Sequence, residues 1–487
     1  MYKLKLTMYI QEEAARCLLC KDAPCSKACK IADPARAIRA IRFDNEKLAP
    51  KWLEGSTEEE LEKAEKTCIH YDFPIRIREI AKALPSAAPT AKKLPSLEID
   101  FVGIHCQNPF FLASSAVCTN YEMVANAFEA GWGGVFYKTI CKDDINEVSP
   151  RFDAVKKGSS FIAFRNMEQL SENPVEMDFD ILSRLKKNYP EKVVIASIMG
   201  KGEKEWIELA KMAQAAGCDA VELNFSCPQM RESGMGSDVG QDPELVTFLT
   251  AFVKRNVSIP VIAKMTPNIT HISEPGMGAY AGGADAISAI NTIKSITLGE
   301  GSEVSGCQTA SGYSGKAVKP IALRHILSMV LHPIMGDAQY SGVGGIETWQ
   351  DALEFIQLGC RNVQICTAVM EYGYRIIDDL TAGLQNYMAE RGIEKLYDLV
   401  GELLPKFHRP SDLDRTTVVY PKFNRENCIG CGRCTISCAD GGHQALEFDP
   451  ITRKPRLIAT KCVGCHLCRL VCPTGAIGVS QRVPKKK

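Results

Sequence analysis

No apolar run in this 487-residue chain approaches the roughly 20 residues that a bilayer-spanning helix needs. Residues 1–16 carry scattered charges in place of the apolar core of a secretory leader, so a cytoplasmic protein is expected. Net charge is missing as well: 58 lysines and arginines balance 58 aspartates and glutamates, which points to neither nucleic acid nor an anionic membrane as a partner. No G-x-G-x-x-G segment follows a strand and opens a helix. The nearest glycine clusters, Gly234–Gly240 and Gly342–Gly345, sit in a different pattern. That excludes a dinucleotide-binding fold within the chain.

Cysteine is the opposite case. Three runs of four hold 12 of the 21 cysteines, a usage that favours metal ligation in a reducing compartment over a disulfide framework. Two runs near the C-terminus share the spacing C-x2-C-x2-C-x3-C: Cys428, Cys431, Cys434, Cys438, and Cys462, Cys465, Cys468, Cys472 followed by Pro473. In two-cluster ferredoxins the fourth cysteine of each such run serves the other run's cluster. One 4Fe-4S cluster is then expected on Cys428, Cys431, Cys434 and Cys472, the other on Cys462, Cys465, Cys468 and Cys438. Zinc ribbons also use C-x2-C pairs, but they explain neither the third cysteine step nor the proline. The remaining run, Cys17-x2-Cys20-x4-Cys25-x3-Cys29, reads as a further metal-binding segment.

Between these ends the texture changes. Residues 1–97 are charged and helical in pattern, closing on a Pro/Ala/Lys linker over Leu84–Pro95. From 98 to 395 eight short apolar runs recur, each followed by a polar loop and an amphipathic helix: Phe110–Ser114, Gly134–Thr139, Val193–Ile198, Ala220–Phe225, Pro260–Met265, Ala286–Asn291, Tyr340–Gly344 and Asn362–Thr367. Gly131 and Gly217 mark helix stops, and Asp242-Pro243 marks a start. Eight such units predict an α/β fold, the TIM (β/α)8 barrel, ahead of a doubly wound sheet with fewer strands. Residues 396–420 then link to a ferredoxin-like α+β module over 421–487, with Lys485–Lys487 as a solvated end.

In such a barrel the reactive groups gather at the C-terminal ends of the strands. Read there, the chain offers Ser114, Lys138, Asn224 with Cys227, Lys264, Asn291-Thr292, Gly344-Gly345 and Cys366-Thr367. A single strand-end lysine is commonly just ion-paired. Two lysines, two asparagines and a glycine-plus-hydroxyl loop on one rim point to an anionic cofactor with one phosphate. Iron–sulfur clusters carry single electrons, and flavin converts these to two-electron chemistry, so FMN is expected with Lys264 and Lys138 beside its ring. Cys227 is the candidate proton donor, against the plainer reading of a buried thiol. Cys106, Cys118, Cys141, Cys218, Cys307 and Cys360 read as core fillers.

These stretches carry a family likeness. ELNFSCP (222–228), AKMTPN (263–268), Asn291-Thr292, RNMEQ (165–169) and SGYSGKAVKPIAL (311–323) resemble the flavin barrel of dihydropyrimidine dehydrogenase, a relative of dihydroorotate dehydrogenase. With the two-cluster tail the likeness runs from about residue 98 to the end. It implies Cys227 as general acid and Asn166, Glu168, Asn224, Asn291 and Thr292 as pyrimidine ligands. FMN contacts are implied for Lys138, Lys264, Ser114, Gly315, Gly344, Gly345, Cys366 and Thr367. Since the chain holds no nucleotide fold, electrons from NADH or NADPH are expected through an FAD-containing partner subunit in a hetero-oligomer. Two other readings stay open: a dihydroorotate enzyme, with Arg165 available for a carboxylate, and a non-catalytic electron-transfer adaptor. The N-terminal cysteine run resembles the iron–sulfur domain of the glutamate synthase small subunit. That likeness implies that its first three cysteines serve one cluster and Cys29 a second, with further ligands downstream. Only Cys68 follows before the linker, so one cluster on Cys17, Cys20, Cys25 and an unassigned fourth ligand is expected, with a zinc site or a ligand shared with a partner as the alternatives.

Overall fold

The computed structural model describes residues 2–84, 94–157, 160–228, 235–298, 303, 304 and 306–485. Most of the stretch 84–95, Gly234 and Lys486–Lys487 therefore lie outside the described residues. The chain divides into two units, one of Met1–Arg42, Glu46–Ala87 and Lys406–Lys487, the other of Phe43–Asn45 and Ala88–Pro405.

The second unit is a closed barrel of eight parallel strands. They are β1 (Phe110–Leu112), β2 (Gly134–Phe136), β3 (Val193–Ile198), β4 (Ala220–Asn224), β5 (Val261–Lys264), β6 (Ala286–Ala289), β7 (Gln339–Val343) and β8 (Cys360–Ile365), and β8 pairs back onto β1. Each falls on one of the eight apolar runs. All but β3 stop short of the run's end, because the backbone leaves the ladder to begin the loop above it. Ser114, Lys138, Asn291 and Thr367 are among the residues so released. Strand burial is complete on both faces in β3, β4 and β5, as a helix-wrapped parallel sheet requires.

The helix punctuation follows local chemistry. Asn120 caps the helix Tyr121–Ala130 by accepting from Met123 N, and Gly131 ends it at φ 113°. Asp242 accepts from Glu244 N and Leu245 N ahead of Pro243, opening Pro243–Lys254. The barrel interior under the mouth is polar: Ser197 Oγ donates to Glu222 Oε1 at 3.0 Å, and Gln364 Nε2 donates to Ser288 Oγ and Ser341 Oγ at 2.9 and 2.8 Å.

A four-stranded antiparallel sheet, absent from the expectations, joins Phe152–Lys157, Ser160–Asn166, Ser311–Ser314 and Ile293–Ser295. It is built from the insertions that follow β2 and β6. Beyond the barrel, the segment 396–420 holds 3-10 turns at Leu396–Leu399, Leu404–Lys406 and Pro410–Asp412, with Leu396 and Leu399 buried.

In the first unit the N-terminal part is helical, with Tyr2–Ala15, Pro24–Lys27, Pro34–Arg42, Glu58–Lys66 and Ile77–Ala83. The tail forms the antiparallel pairs Pro421–Phe423 with Ile477–Val479 and Leu446–Asp449 with Lys454–Leu457, plus the helices Arg433–Gly441 and Leu467–Leu470. Its small core mixes Cys434, Cys438 and Cys468 with Ala445, Leu446 and Ile477. Among the described residues no helix is long and apolar enough to cross a membrane.

One expectation needs correcting. Cys106, Cys118, Cys141, Cys218 and Cys360 are buried fillers, but Cys307 is exposed, because its segment forms an isolated bridge with Val304 outside the packed strands.

Candidate active site

One cleft of about 1040 Å³ opens at the C-terminal ends of the barrel strands. It is lined by Ser114, Lys138, Asn166, Glu168, Asn224, Cys227 and Lys264, and by Asn291, Thr292, Gly315, Gly344, Gly345, Cys366 and Thr367. The structure thus gathers every barrel residue singled out above except Arg165, from segments spread over more than half the chain. Its lining, apolar walls with a few convergent polar and charged groups, is that of a small-molecule site.

Two cations stand in its floor and wall. Lys264 ends β5, is 3% exposed, and places Nζ 3.7 Å from Glu222 Oε1. Lys138, beyond the end of β2, pairs with Glu168 Oε2 at 3.2 Å. Amides and hydroxyls interlock between them. Asn224 Nδ2 donates to Thr139 Oγ1 at 2.9 Å, and Thr139 Oγ1 shares a 3.0 Å bond with Ser114 Oγ. Ser226 Oγ donates to Asn224 Oδ1 at 2.6 Å and accepts from Asn291 Nδ2 at 2.8 Å. Each asparagine amide still has one N–H to offer a ligand carbonyl.

Cys227 lies beside this network, 6% exposed, its carbonyl accepting from Ser237 N at 2.9 Å. The returning loop sits hard against the strand end: a Cβ on Gly240 would come within 1.9 Å of Phe225 O. Asn166 and Glu168 owe their place to the mouth sheet, where Asn166 pairs across to Gly312. Burial pushes the Cys366 thiol up to about 11, so that side chain stays neutral and its segment presents backbone and the Thr367 hydroxyl, which bonds Ser314 Oγ at 2.9 Å.

Thr139, Gln169, Tyr313, Ser314, Lys316 and Glu347 also line the cleft and were not singled out. All but Glu347 lie in stretches already quoted for other reasons, and Glu347 follows the glycine pair by two positions. Arg165 is held elsewhere. It is 2% exposed and donates to Ser311 Oγ, Thr297 Oγ1 and Thr309 O at 2.7, 2.8 and 3.1 Å.

In the tail, two smaller cavities of about 370 and 350 Å³ divide the cysteines four and four. Cys428, Cys431, Cys434 and Cys472 line one, and Cys438, Cys462, Cys465 and Cys468 line the other. The fourth member of each set comes from the opposite run. Ala445 N points at Cys438 Sγ at 3.3 Å, the kind of donor that stabilises a thiolate.

At the N-terminus the grouping differs from the run as written. Cys25 is pushed up to about 11, chiefly by burial, with Cys17 and Cys68 close enough to add to it. Burial likewise raises Cys17, which also feels Cys20 and Cys68. The turn after Cys68 is pinned there, His70 Nε2 lying 3.0 Å from Arg16 O. Cys29 has Glu60, Asp33 and Lys63 as charged neighbours, and its thiol approaches Glu60 O at 3.8 Å.

A cleft with buried lysines and amides at the mouth of an eight-stranded barrel, with a cysteine-divided tail, defines an iron–sulfur oxidoreductase of the dihydroorotate dehydrogenase type. Residues 96–388 match the model of the family described as dihydroorotate dehydrogenase, and 422–479 match that of a 4Fe-4S dicluster domain. The chain is 52% identical over 392 residues to the NAD-dependent dihydropyrimidine dehydrogenase subunit PreA of Escherichia coli (strain K12), spanning 79% of this chain and 95% of that one. It is 38% identical over 342 residues to the chloroplastic dihydropyrimidine dehydrogenase (NADP(+)) of Arabidopsis thaliana, 66% of this chain and 80% of that one. A crystal structure of DHODH from Eimeria tenella in complex with ferulenol shares the fold, with a TM-score of 0.55 at 19% identity over 64% of this chain and 90% of that one. The chain belongs to the dihydropyrimidine dehydrogenase branch of the dihydroorotate dehydrogenase family. It is an oxidoreductase acting on CH–CH donors.

Proposed function

We propose that this chain is the catalytic subunit of an NAD(P)-linked dihydropyrimidine dehydrogenase, interconverting uracil or thymine with the 5,6-dihydro form. The observation that supports it most is a cleft lined together by the Cys227 thiol, the amides of Asn166, Asn224 and Asn291, the Glu168 carboxylate, Lys138 and Lys264. A pyrimidine ring presents alternating N–H donors and C=O acceptors. Glu168 matches an N–H, and the spare amide N–H groups of Asn224 and Asn291 match carbonyls, with Asn166 and Thr292 closing the ring's edge.

FMN fits the remaining lining: buried lysines for its ring, and for its phosphate the backbone of Gly315, Gly344 and Gly345 with Ser114, Cys366 and Thr367. A Cβ at Gly345 would lie 2.7 Å from Lys319 N, so side chains are excluded where an anion would meet the backbone. When bound, FMN supplies hydride exchange at the pyrimidine C6 and single-electron exchange with the clusters. Lys264 and Lys138 would lie beside the ring and would offset the negative charge it gains on reduction. Cys227 Sγ gives or takes the proton at C5 from the opposite face, and its burial limits access of water to it.

The two tail cavities are assigned one 4Fe-4S cluster each, and Cys17, Cys20, Cys25 and Cys68 are assigned a third. A division at 97/98, 395/396 and 420/421 separates these modules. Lacking a nucleotide fold, the chain would take electrons from an FAD-containing partner in a hetero-oligomer.

A dihydroorotate enzyme is less well supported. Its substrate carries a carboxylate, and the arginine nearest the site, Arg165, is already bound by three oxygen acceptors. Anaerobic addition of dihydrouracil to the purified protein is expected to bleach the flavin absorbance, whereas dihydroorotate is not. Bleaching by dihydroorotate alone overturns the assignment, and bleaching by neither supports the adaptor.

A further inference from the structure

Two charged residues in the cleft have no part in the chemistry above. Lys316 Nζ lies 3.3 Å from Glu347 Oε2, and both side chains line the same cavity as Gly315, Gly344 and Gly345. Lys316 follows Gly315, whose φ of 89° turns the chain into the 3-10 helix Lys316–Val318. Glu347 comes two residues after Gly345 at the end of β7. The pair therefore bridges the two loops assigned above to a phosphate.

A carboxylate is an unexpected neighbour for that ligand, since like charges in a partly buried site repel. The surroundings of Glu347 make the conflict sharper. Asp351 faces it, accepting from Glu347 N at 2.9 Å, and Asp351 is itself paired with Lys319 at 2.6 Å. Glu371 is the other acidic neighbour, with Oε1 accepting from Phe161 N at 3.1 Å and Oε2 buried without a partner among the described residues. Lys316 is the cation directly on Glu347, and it is also the more exposed of the two, at 39% against 14%.

We propose that Lys316 is an additional ligand for the cofactor phosphate and that Glu347 is its resting partner, which releases Lys316 and takes up a proton when the phosphate enters. The inference rests on the FMN reading and adds a ligand and a proton to it. Burial, reinforced by Glu371 and opposed by Lys316, pushes the Glu347 carboxyl up to about 7, so the proton is available near neutrality. A bound phosphate raises it further. Binding then consumes a proton above about pH 7 and none well below it. The dissociation constant should rise with pH through that window, by at most about tenfold per unit.

The test uses the holoprotein, diluted into buffers from about pH 6 to about pH 9, with released FMN read by its fluorescence. Wild type should lose affinity as pH rises. Glu347→Gln should remove the slope and hold FMN at least as tightly at the alkaline end. Lys316→Met should weaken FMN roughly tenfold at about pH 6, where Glu347 is protonated in both proteins and only the charged hydrogen bond differs. Riboflavin, which lacks the phosphate, should bind wild type and Lys316→Met alike. The inference is overturned by an unchanged slope in Glu347→Gln, by wild-type FMN affinity in Lys316→Met, or by equal weakening of riboflavin. Protein that purifies without any flavin sinks the parent reading and this one with it.

Discussion

Lys138 Nζ and Glu168 Oε2 stand 3.2 Å apart with side chains 4% and 9% exposed, an ion pair joining the loop after β2 to the segment beyond the mouth sheet. Neither charge is well hydrated, so each depends on the other. Glu147, whose Oε1 accepts from Gln169 N at 2.6 Å, keeps that segment in place.

Removing one partner of a buried pair leaves an uncompensated charge, which costs more than the pair contributes. Glu168→Gln should lower kcat/KM for uracil roughly 10- to 150-fold, the range for a lost charged hydrogen bond. Most of the loss should appear in KM. Steady-state kinetics check this, and an unchanged KM would remove Glu168 from pyrimidine binding.

Cys227→Ser keeps the shape of the site and replaces the thiol with a far weaker acid. Turnover should fall about 10²- to 10⁴-fold, the usual span for general acid–base catalysis. Flavin and iron content should stay at wild-type levels. Near-normal rates with an intact cofactor load would show that the proton comes from elsewhere.

Iron analysis separates the N-terminal cysteines. Three 4Fe-4S clusters mean about 12 iron atoms per chain, and two mean about 8. Cys68→Ser should drop the count to about 8, while Cys29→Ser should leave it unchanged. The reverse result would restore the run as written and detach Cys68 from it.

Gly345 tests the backbone cradle. Its φ is 77° and an added Cβ would meet Lys319 N at 2.7 Å, so Gly345→Ala carries both strain and a clash with backbone. Strain of this kind costs about 1–3 kcal/mol. The variant should purify with less than half the wild-type flavin while keeping its iron, as read from absorbance and metal analysis.

Much of the barrel was legible because its determinants are local. The run Val193–Ile198 is a strand end to end, and Asn120, Gly131 and Asp242-Pro243 act on the neighbouring residues that they cap. The rim positions follow from those strands, so Lys264 and Asn224 were readable from the rule that strand ends face the site. The mouth sheet was not. Ser160–Asn166 and Ser311–Ser314 pair across nearly 150 residues of sequence, and nothing in either segment names the other.

Spacing alone determined that eight cysteines form two sets and that eight apolar runs close a barrel. Each of these depends on residues within a turn or a strand of one another. Folding in three dimensions decided the rest: that Arg165 is engaged by Ser311, Thr297 and Thr309, that Cys68 comes close enough to Cys17 and Cys25 to perturb their thiols, and that Lys316 meets Glu347. Such pairings join segments far apart in the chain. Their partners are chosen when the barrel closes and its loops pack, a long-range event that local preference does not encode.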